Sequence, residues 1–250
     1  MENHLITSTQ NPTVKMVVEL HTTQGRKRHE LFIVEGLRTC ESFINNGYQP
    51  TLFFVTQDQE SHAQTLFSQH ELTIVTEAVM HKMSTATTPS GFLALFSLPQ
   101  PITKALTAGL VLANITDPGN MGTLIRSCAA FGYNSVVVVE GCDPFSPKVI
   151  QASAGTLPLV SLFQLTWKEL LERKQKESLQ LAALVAHKGR LVTDIAEKNI
   201  LFVVGNEAHG ISEALLADCD MMVTIPMHSA VESLNAGVAG SIALALHSAL

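Results

Sequence analysis

From Gly109 onward the chain alternates short, almost wholly apolar runs with stretches of helical character, and this pattern constrains the fold most. The runs are Leu110–Ala113, Val136–Val139, Leu159–Phe163, Leu181–Val185, Ile200–Val204 and Met222–Ile225. A strand with one wet face alternates apolar and polar residues, whereas a run apolar at every position is buried on both faces. Such runs with helices between several of them predict a parallel sheet covered on both sides. Parallel sheets receive ligands at the carboxyl ends of their strands. The residues that follow these runs are therefore the first candidates for function.

The first hundred residues read as a separate, smaller α/β unit. A helix is expected over Asn11–Thr22, with Val14, Val17, Val18 and Leu20 on its apolar face. Phe32–Val34 and Leu52–Val55 read as strands, Leu37–Ile44 and Ser61–Ser68 as helices, and Leu72–Val75 and Phe92–Phe96 complete the apolar runs. The prolines of the stretch LPQPITKA mark a linker. The expected division is a first domain over 1–98, a linker over 99–107 and a second domain over 108–250. A chain of 250 residues accommodates two domains of ordinary size.

Composition and absent motifs remove several function classes. No run is long and uncharged enough to span a bilayer, and Met1–Gln10 lacks a basic-then-apolar leader pattern. A cytoplasmic protein without a membrane partner is expected. Cys40, Cys128, Cys142 and Cys219 are scattered without a Cys-x-x-Cys pair, so no metal site is implied and buried reduced thiols are expected. There is no G-x-G-x-x-G, no Walker A and no G-x-S-x-G sequence. Gly205 and Gly210 have Walker spacing, but Ile211 stands where the lysine belongs. The formal net charge of −6 argues against non-specific nucleic-acid binding and leaves room for a local basic patch such as Arg26-Lys27-Arg28.

Three blocks carry chemistry. The first follows the run Leu110–Ala113: Asp117-Pro118-Gly119-Asn120-Met121-Gly122-Thr123, then LIRSCAAFG. Its proline and glycines permit a sharp turn, Asn120 suits a helix cap, and Arg126 lies nearly two turns further on. The second is Leu201–Val204 running into Gly205-Asn206-Glu207 and Gly210. A glycine there lets a flat ligand approach the backbone, and Glu207 can pair with a cation. The third is Val223–Met227, then Val231-Glu232-Ser233-Leu234-Asn235 and a helix over Ala236–Ala245 rich in small residues. Ser233 and Asn235 suit a helix start, and the small residues imply close backbone packing. Taken singly, each block also reads as an ordinary turn and cap.

In order and in spacing, the three blocks resemble the motifs of the SpoU/TrmH family of the SPOUT methyltransferases. Asn11-Pro12, Val14-Lys15, Arg26-Lys27-Arg28 and Phe32–Gly36 resemble that family's substrate-binding domain, a ribosomal-protein-like α/β module. Ser146–Ile150 and Ser153-Ala154-Gly155 resemble the stretch after its first motif. The departures are Gln151, where a basic residue is common, Ser229 in place of glycine, and SLN-A-G-V-A in the third motif.

The resemblance implies a parallel-sheet domain tied in a deep trefoil knot and a homodimer with active sites at the subunit interface. It implies S-adenosylmethionine as cofactor, held around Gly205, Asn206, Glu207, Gly210, Ile225, Met227, Ser233, Leu234 and Asn235. The reaction it implies is methyl transfer to a ribose 2′-hydroxyl of RNA, with ribosomal RNA favoured over transfer RNA because the N-terminal extension is a whole domain. Arg126 would grip RNA phosphate and stabilise the developing oxyanion, since guanidinium stays protonated. Asn120 would orient Arg126 or the ribose, Glu207 would pair with a cationic group, and Ser233 and Asn235 would fix the third-motif loop. Arg26, Lys27 and Arg28 would meet RNA. The rival readings are a methyltransferase acting on a base nitrogen and a non-catalytic RNA-binding module.

Overall fold

The structure is a computed structural model that describes residues 5–100, 103–228 and 230–248. The chain divides into two compact units. One takes in residues up to Pro99 together with Phe145–Gln151; the other takes in Gln100–Pro144 and Ala152 onward. Among the described residues no helix is long and apolar enough to cross a membrane.

In the first unit the elements are β1 (Leu5–Ile6), α1 (Pro12–Glu19), α2 (Thr23–His29), β2 (Leu31–Glu35), α3 (Leu37–Asn45), β3 (Pro50–Thr56), α4 (Glu60–Leu66), β4 (Thr73–Val75), α5 (Glu77–Met83) and β5 (Phe92–Ser97). The sheet order is β1-β4-β3-β5-β2, with β5 antiparallel to both neighbours. One face buries Ile33, Phe54, Leu93 and Leu95 against Val14 and Val17 of α1 and Val79 and Met83 of α5. The expected helix Asn11–Thr22 ends early. Leu20 closes α1, and Thr22 starts α2 by accepting from the Gly25 amide at 3.0 Å. Neither α2 nor α5 was expected from the apolar runs, although Thr76 caps α5 with Glu77 in its first turn.

The second unit contains β6 (Gly109–Ile115), α6 (Pro118–Ala130), β7 (Ser135–Gly141), β8 (Ser161–Gln164), α8 (Trp167–Lys176), β9 (Gln180–Leu184), β10 (Arg190–Leu191), β11 (Ile200–Val204), α9 (Glu213–Ala217), β12 (Met221–Thr224) and α10 (Ala236–Ser248); α7 (Pro147–Ala152) follows β7 in the chain. The seven strands run in the order β10-β12-β9-β11-β6-β7-β8, and every pairing is parallel. All five residues of β11 are buried, as a central strand covered on both faces requires. Val111, Val137, Leu181 and Leu201 point to the face covered by Leu170 of α8. On the other side α10 lies against α6, where Ser127 and Ser241 share a hydrogen bond of 2.7 Å. A side chain at Gly240 would come within 2.3 Å of Leu124 and 3.1 Å of Val204, so the small residues of α10 set this close approach.

Two boundaries differ from expectation. Leu106, placed in the linker by the sequence, is buried in the core of the second unit, and its amide donates to Glu177 Oε2 at 2.6 Å. Phe145–Gln151, placed in the second domain, clusters with the first unit, where Phe145 packs against Phe32 at 5.1 Å between ring centroids.

Candidate active site

Because every strand of the second sheet runs the same way, the turns after β6, β9, β11 and β12 emerge at one edge. Near the end of β6, Asn114 takes a φ of +59° that re-aims the chain into the turn that follows. Its carbonyl accepts from Asn206 Nδ2 at 3.0 Å. Asp117 caps α6 by accepting from the Asn120 amide at 2.7 Å, and Pro118 takes the first helical position. The cap is therefore Asp117, which leaves the Asn120 side chain for another task.

That task is Glu207. Asn120 Nδ2 donates to Glu207 Oε1 at 3.0 Å, and the Asp117 amide donates to the same oxygen at 3.1 Å. Glu207 Oε2 accepts from the Thr116 hydroxyl at 3.1 Å and the Thr116 amide at 3.3 Å. Partial burial pushes this carboxyl up, but the Asn120 amide and the backbone donors outweigh it and hold the pKa at about 2. All of these donors are neutral. The cation that the sequence pattern suggested for Glu207 is not its partner among the described residues; neutral N–H and O–H groups of Thr116, Asp117 and Asn120 are, with a longer contact from the Asn206 side-chain amide at 3.5 Å.

The second turn is rigid in its own right. Asn206 and Gly210 exchange backbone hydrogen bonds at 3.0 and 2.9 Å, and Asn206 Oδ1 accepts from the amides of Ala208 and His209. Gly210 sits at φ +66°. A Cβ on Gly205 would lie 2.4 Å from the Gly210 carbonyl carbon, so only glycine lets this turn close.

The third block adds the remaining wall. Asn235 caps α10 by accepting from the Val238 amide at 3.2 Å. One residue into the helix, a Cβ on Gly237 would lie 3.0 Å from Asn120 Oδ1 and 3.2 Å from Asn235 Oδ1. Asn120 thus sits between the second and third motifs, touching one through Glu207 and the other through the bare backbone of α10.

Beside these turns lies a cavity of about 350 Å³. Of the expected cofactor-binding residues, Gly205, Asn206, Glu207, Gly210, Ile225, Met227, Ser233 and Leu234 line it, while Asn235 does not. Sequence reasoning missed Leu184, Val185 and Ala186 after β9, His209 and Ile211 in the second turn, and Ala236 and Ala239 on α10. Apolar walls from Leu184, Val204, Ile225 and Leu234 with the main chain of a tight turn suit a flat heterocycle with polar edges.

Arg126 lies apart from the cavity lining. It is exposed on α6, and its guanidinium makes no hydrogen bond or ion pair among the described residues. The basic triplet divides. Arg26 is 2% exposed; its Nη1 donates to the carbonyls of Leu20 at 2.8 Å and His21 at 3.1 Å, and its Nη2 donates to Thr23 Oγ1. It fastens the α1–α2 corner, which corrects the expectation that it faces RNA. Lys27 and Arg28 are exposed, with Arg28 3.2 Å from Glu19. Among the described residues no three His, Cys, Asp or Glu side chains are grouped so as to hold a metal ion.

Comparison with known proteins agrees with this geometry. Residues 108–245 match the SpoU rRNA methylase family, and residues 11–94 match the MRM3-like substrate-binding domain. An uncharacterized tRNA/rRNA methyltransferase of Synechocystis sp. is 34% identical, covering 96% of this chain and 91% of the relative. The 23S rRNA (guanosine(2553)-2′-O)-methyltransferase of Bacillus subtilis is 25% identical, covering 95% of this chain and 96% of the relative. The crystal structure of a Sinorhizobium meliloti rRNA methyltransferase with S-adenosylmethionine bound superposes with a TM-score of 0.87 over 97% of this chain and 96% of that one, at 22% identity. With more than half of its length matched and the three motifs meeting at Asn120, the chain belongs to the SpoU rRNA methylase family of RNA methyltransferases.

Proposed function

We propose that the chain transfers a methyl group from S-adenosylmethionine to a ribose 2′-hydroxyl of ribosomal RNA. The observation that carries this reading is the cavity at the carboxyl ends of β9, β11 and β12, joined to the first motif through Glu207 and Asn120. The Sinorhizobium relative, which binds S-adenosylmethionine, and the Bacillus relative, which methylates a ribose of 23S rRNA, support the cofactor and the substrate. The proposal includes the deep trefoil knot and a homodimer. Arg126 does not line the cavity of its own chain, and a two-fold assembly lets it face the partner's cavity.

Bound in the cavity, S-adenosylmethionine supplies a methyl group already activated by its sulfonium. The chain's own residues do the rest. The wall around Leu184, Ile225 and Leu234 excludes water from the heterocycle, and the closed turn 205–210 fixes its orientation. Glu207 is not the base, because its oxygens already accept from five neutral donors and its pKa is about 2. It positions the first and second motifs against each other. Arg126 grips a phosphate or ribose oxygen through its planar fork of donors and stabilises negative charge as the hydroxyl proton leaves to water or a phosphate oxygen.

The test is transfer in vitro. Full-length protein, labelled S-adenosylmethionine and an unmodified ribosomal RNA transcript are incubated, and the digested nucleosides are read by mass spectrometry. A labelled 2′-O-methyl nucleoside is the expected result. Label on a base nitrogen, or no label in RNA, overturns the reading.

A further inference from the structure

We propose that a second, smaller pocket in the first unit receives one unstacked base of the RNA substrate; this rests on the RNA reading above. The pocket encloses about 160 Å³, and its lining residues all belong to the first unit. Sites for drug-sized ligands start at roughly 300 Å³, so this pocket takes a group of single-ring or fused-ring size.

Its chemistry selects a neutral, planar group with hydrogen-bonding edges. Ile33, Pro147 and Ile150 are buried and give apolar surface for a ring face. Among the described residues Glu35 is the one ionisable side chain in the lining, and it is already engaged. Its Oε1 accepts from the Thr85 amide and the Thr85 hydroxyl, both at 2.9 Å, and its Oε2 accepts from the Ser84 hydroxyl. The carboxylate holds the 84–91 loop and offers little to a metal ion or a charged metabolite. On the rim, the Thr88 and Ser90 hydroxyls and the Gln151 amide are exposed and make no hydrogen bond among the described residues.

Together these three groups offer donors and acceptors, which is what the edge of a nucleobase requires. Sequence-specific RNA recognition works mainly on unpaired bases splayed out of a loop, with their faces packed and their edges bonded. Arg38, two residues beyond Gly36 of the lining, is exposed and without a partner among the described residues, so a cation is available for the adjoining phosphate.

The test is photocrosslinking of the full-length protein to an unmodified ribosomal RNA transcript carrying 4-thiouridine, with the cross-linked peptides mapped. Cross-links are expected in residues 84–91 and 147–151. Ser90→Trp and Thr88→Trp, which fill the pocket from its rim, should each weaken RNA binding by about tenfold or more and leave S-adenosylhomocysteine binding unchanged. Should either variant fail to fold, as a lost or strongly lowered thermal transition would reveal, the cross-link map of the wild type decides. The inference is overturned if RNA is bound and methylated while cross-links fall only elsewhere and folded variants bind RNA as the wild type does. If the wild type neither binds nor methylates ribosomal RNA, the parent reading falls and takes this one with it.

Discussion

Asn120 donates its side-chain amide to Glu207 Oε1 at 3.0 Å across 87 positions of sequence, and this bond ties the turn after β6 to the turn after β11. Glu207→Gln keeps the size of the side chain and turns one acceptor into a donor that faces other donors. The lost bonds should cost about 1–2 kcal/mol, lowering Tm by about 2–8 °C in a chain of this length. Because the second turn lines the cavity, S-adenosylhomocysteine affinity should fall by about tenfold or more. Calorimetric binding and a thermal melt on the same sample check both effects.

The acid response of the same carboxylate has a defined sign. Its pKa in the fold is about 2 against an ordinary value of 4.5. A depressed carboxyl pKa contributes stability that is fully present above the unfolded value and is lost as pH falls toward the folded one. The stability difference between wild type and Glu207→Gln should therefore be constant above about pH 5 and shrink between about pH 4.5 and pH 2. Glu207 is exposed, so solvent screening keeps the difference small. The methyl-transfer rate near neutral pH should show no limb belonging to Glu207. Denaturant titrations across that pH range read the first effect, and single-turnover rates read the second.

Arg126→Ala separates chemistry from folding. The Arg126 side chain is exposed, lies outside the cavity lining and makes no hydrogen bond or ion pair among the described residues, so stability should change by less than about 0.5 kcal/mol. S-adenosylhomocysteine affinity should also hold. The single-turnover rate should drop more than about tenfold, because a fixed cation at a developing oxyanion contributes roughly that much or more. Arg126→Lys keeps the charge, loses the planar fork, and should lie between wild type and the alanine variant. A rate that rises with pH along one ionisation abolished by Arg126→Ala would instead make Arg126 the base.

The triplet at 26–28 should divide by role. Arg26→Ala strips the Leu20 and His21 carbonyls of their donor inside the α1–α2 corner and should cost about 2–4 kcal/mol. Lys27→Ala with Arg28→Ala should leave stability near wild type, weaken RNA binding, and lower the slope of log affinity against log salt by about 1–2. Melts and salt titrations of RNA binding distinguish the two sets.

How far the sequence could be read follows from where its information is local. The runs at Leu110–Ala113 and Ile200–Val204 fix β6 and β11, because an uninterrupted apolar run has one comfortable place in an α/β fold. The turns after them, with Gly205, Asn206 and Gly210, were legible for the same reason. The lining at Leu184–Ala186 was not, because it depends on β9 lying between β12 and β11, an order the spacing of the runs does not contain. Asn120 read as a cap because its true partner lies 87 residues away. Arg26 read as a surface cation because its burial depends on α1 stopping at Glu19 and turning back. Phe145–Gln151 read as part of the second domain because adjacency in sequence says nothing of the company a segment keeps.

The most direct measurement is mass mapping of ribose methylation in ribosomal RNA from cells lacking this protein. One 2′-O-methyl group should be missing, restored by the wild-type chain and not by Arg126→Ala. Ribosomal RNA whose ribose methylation is complete without the protein, or whose only loss is a base methylation, would contradict the account.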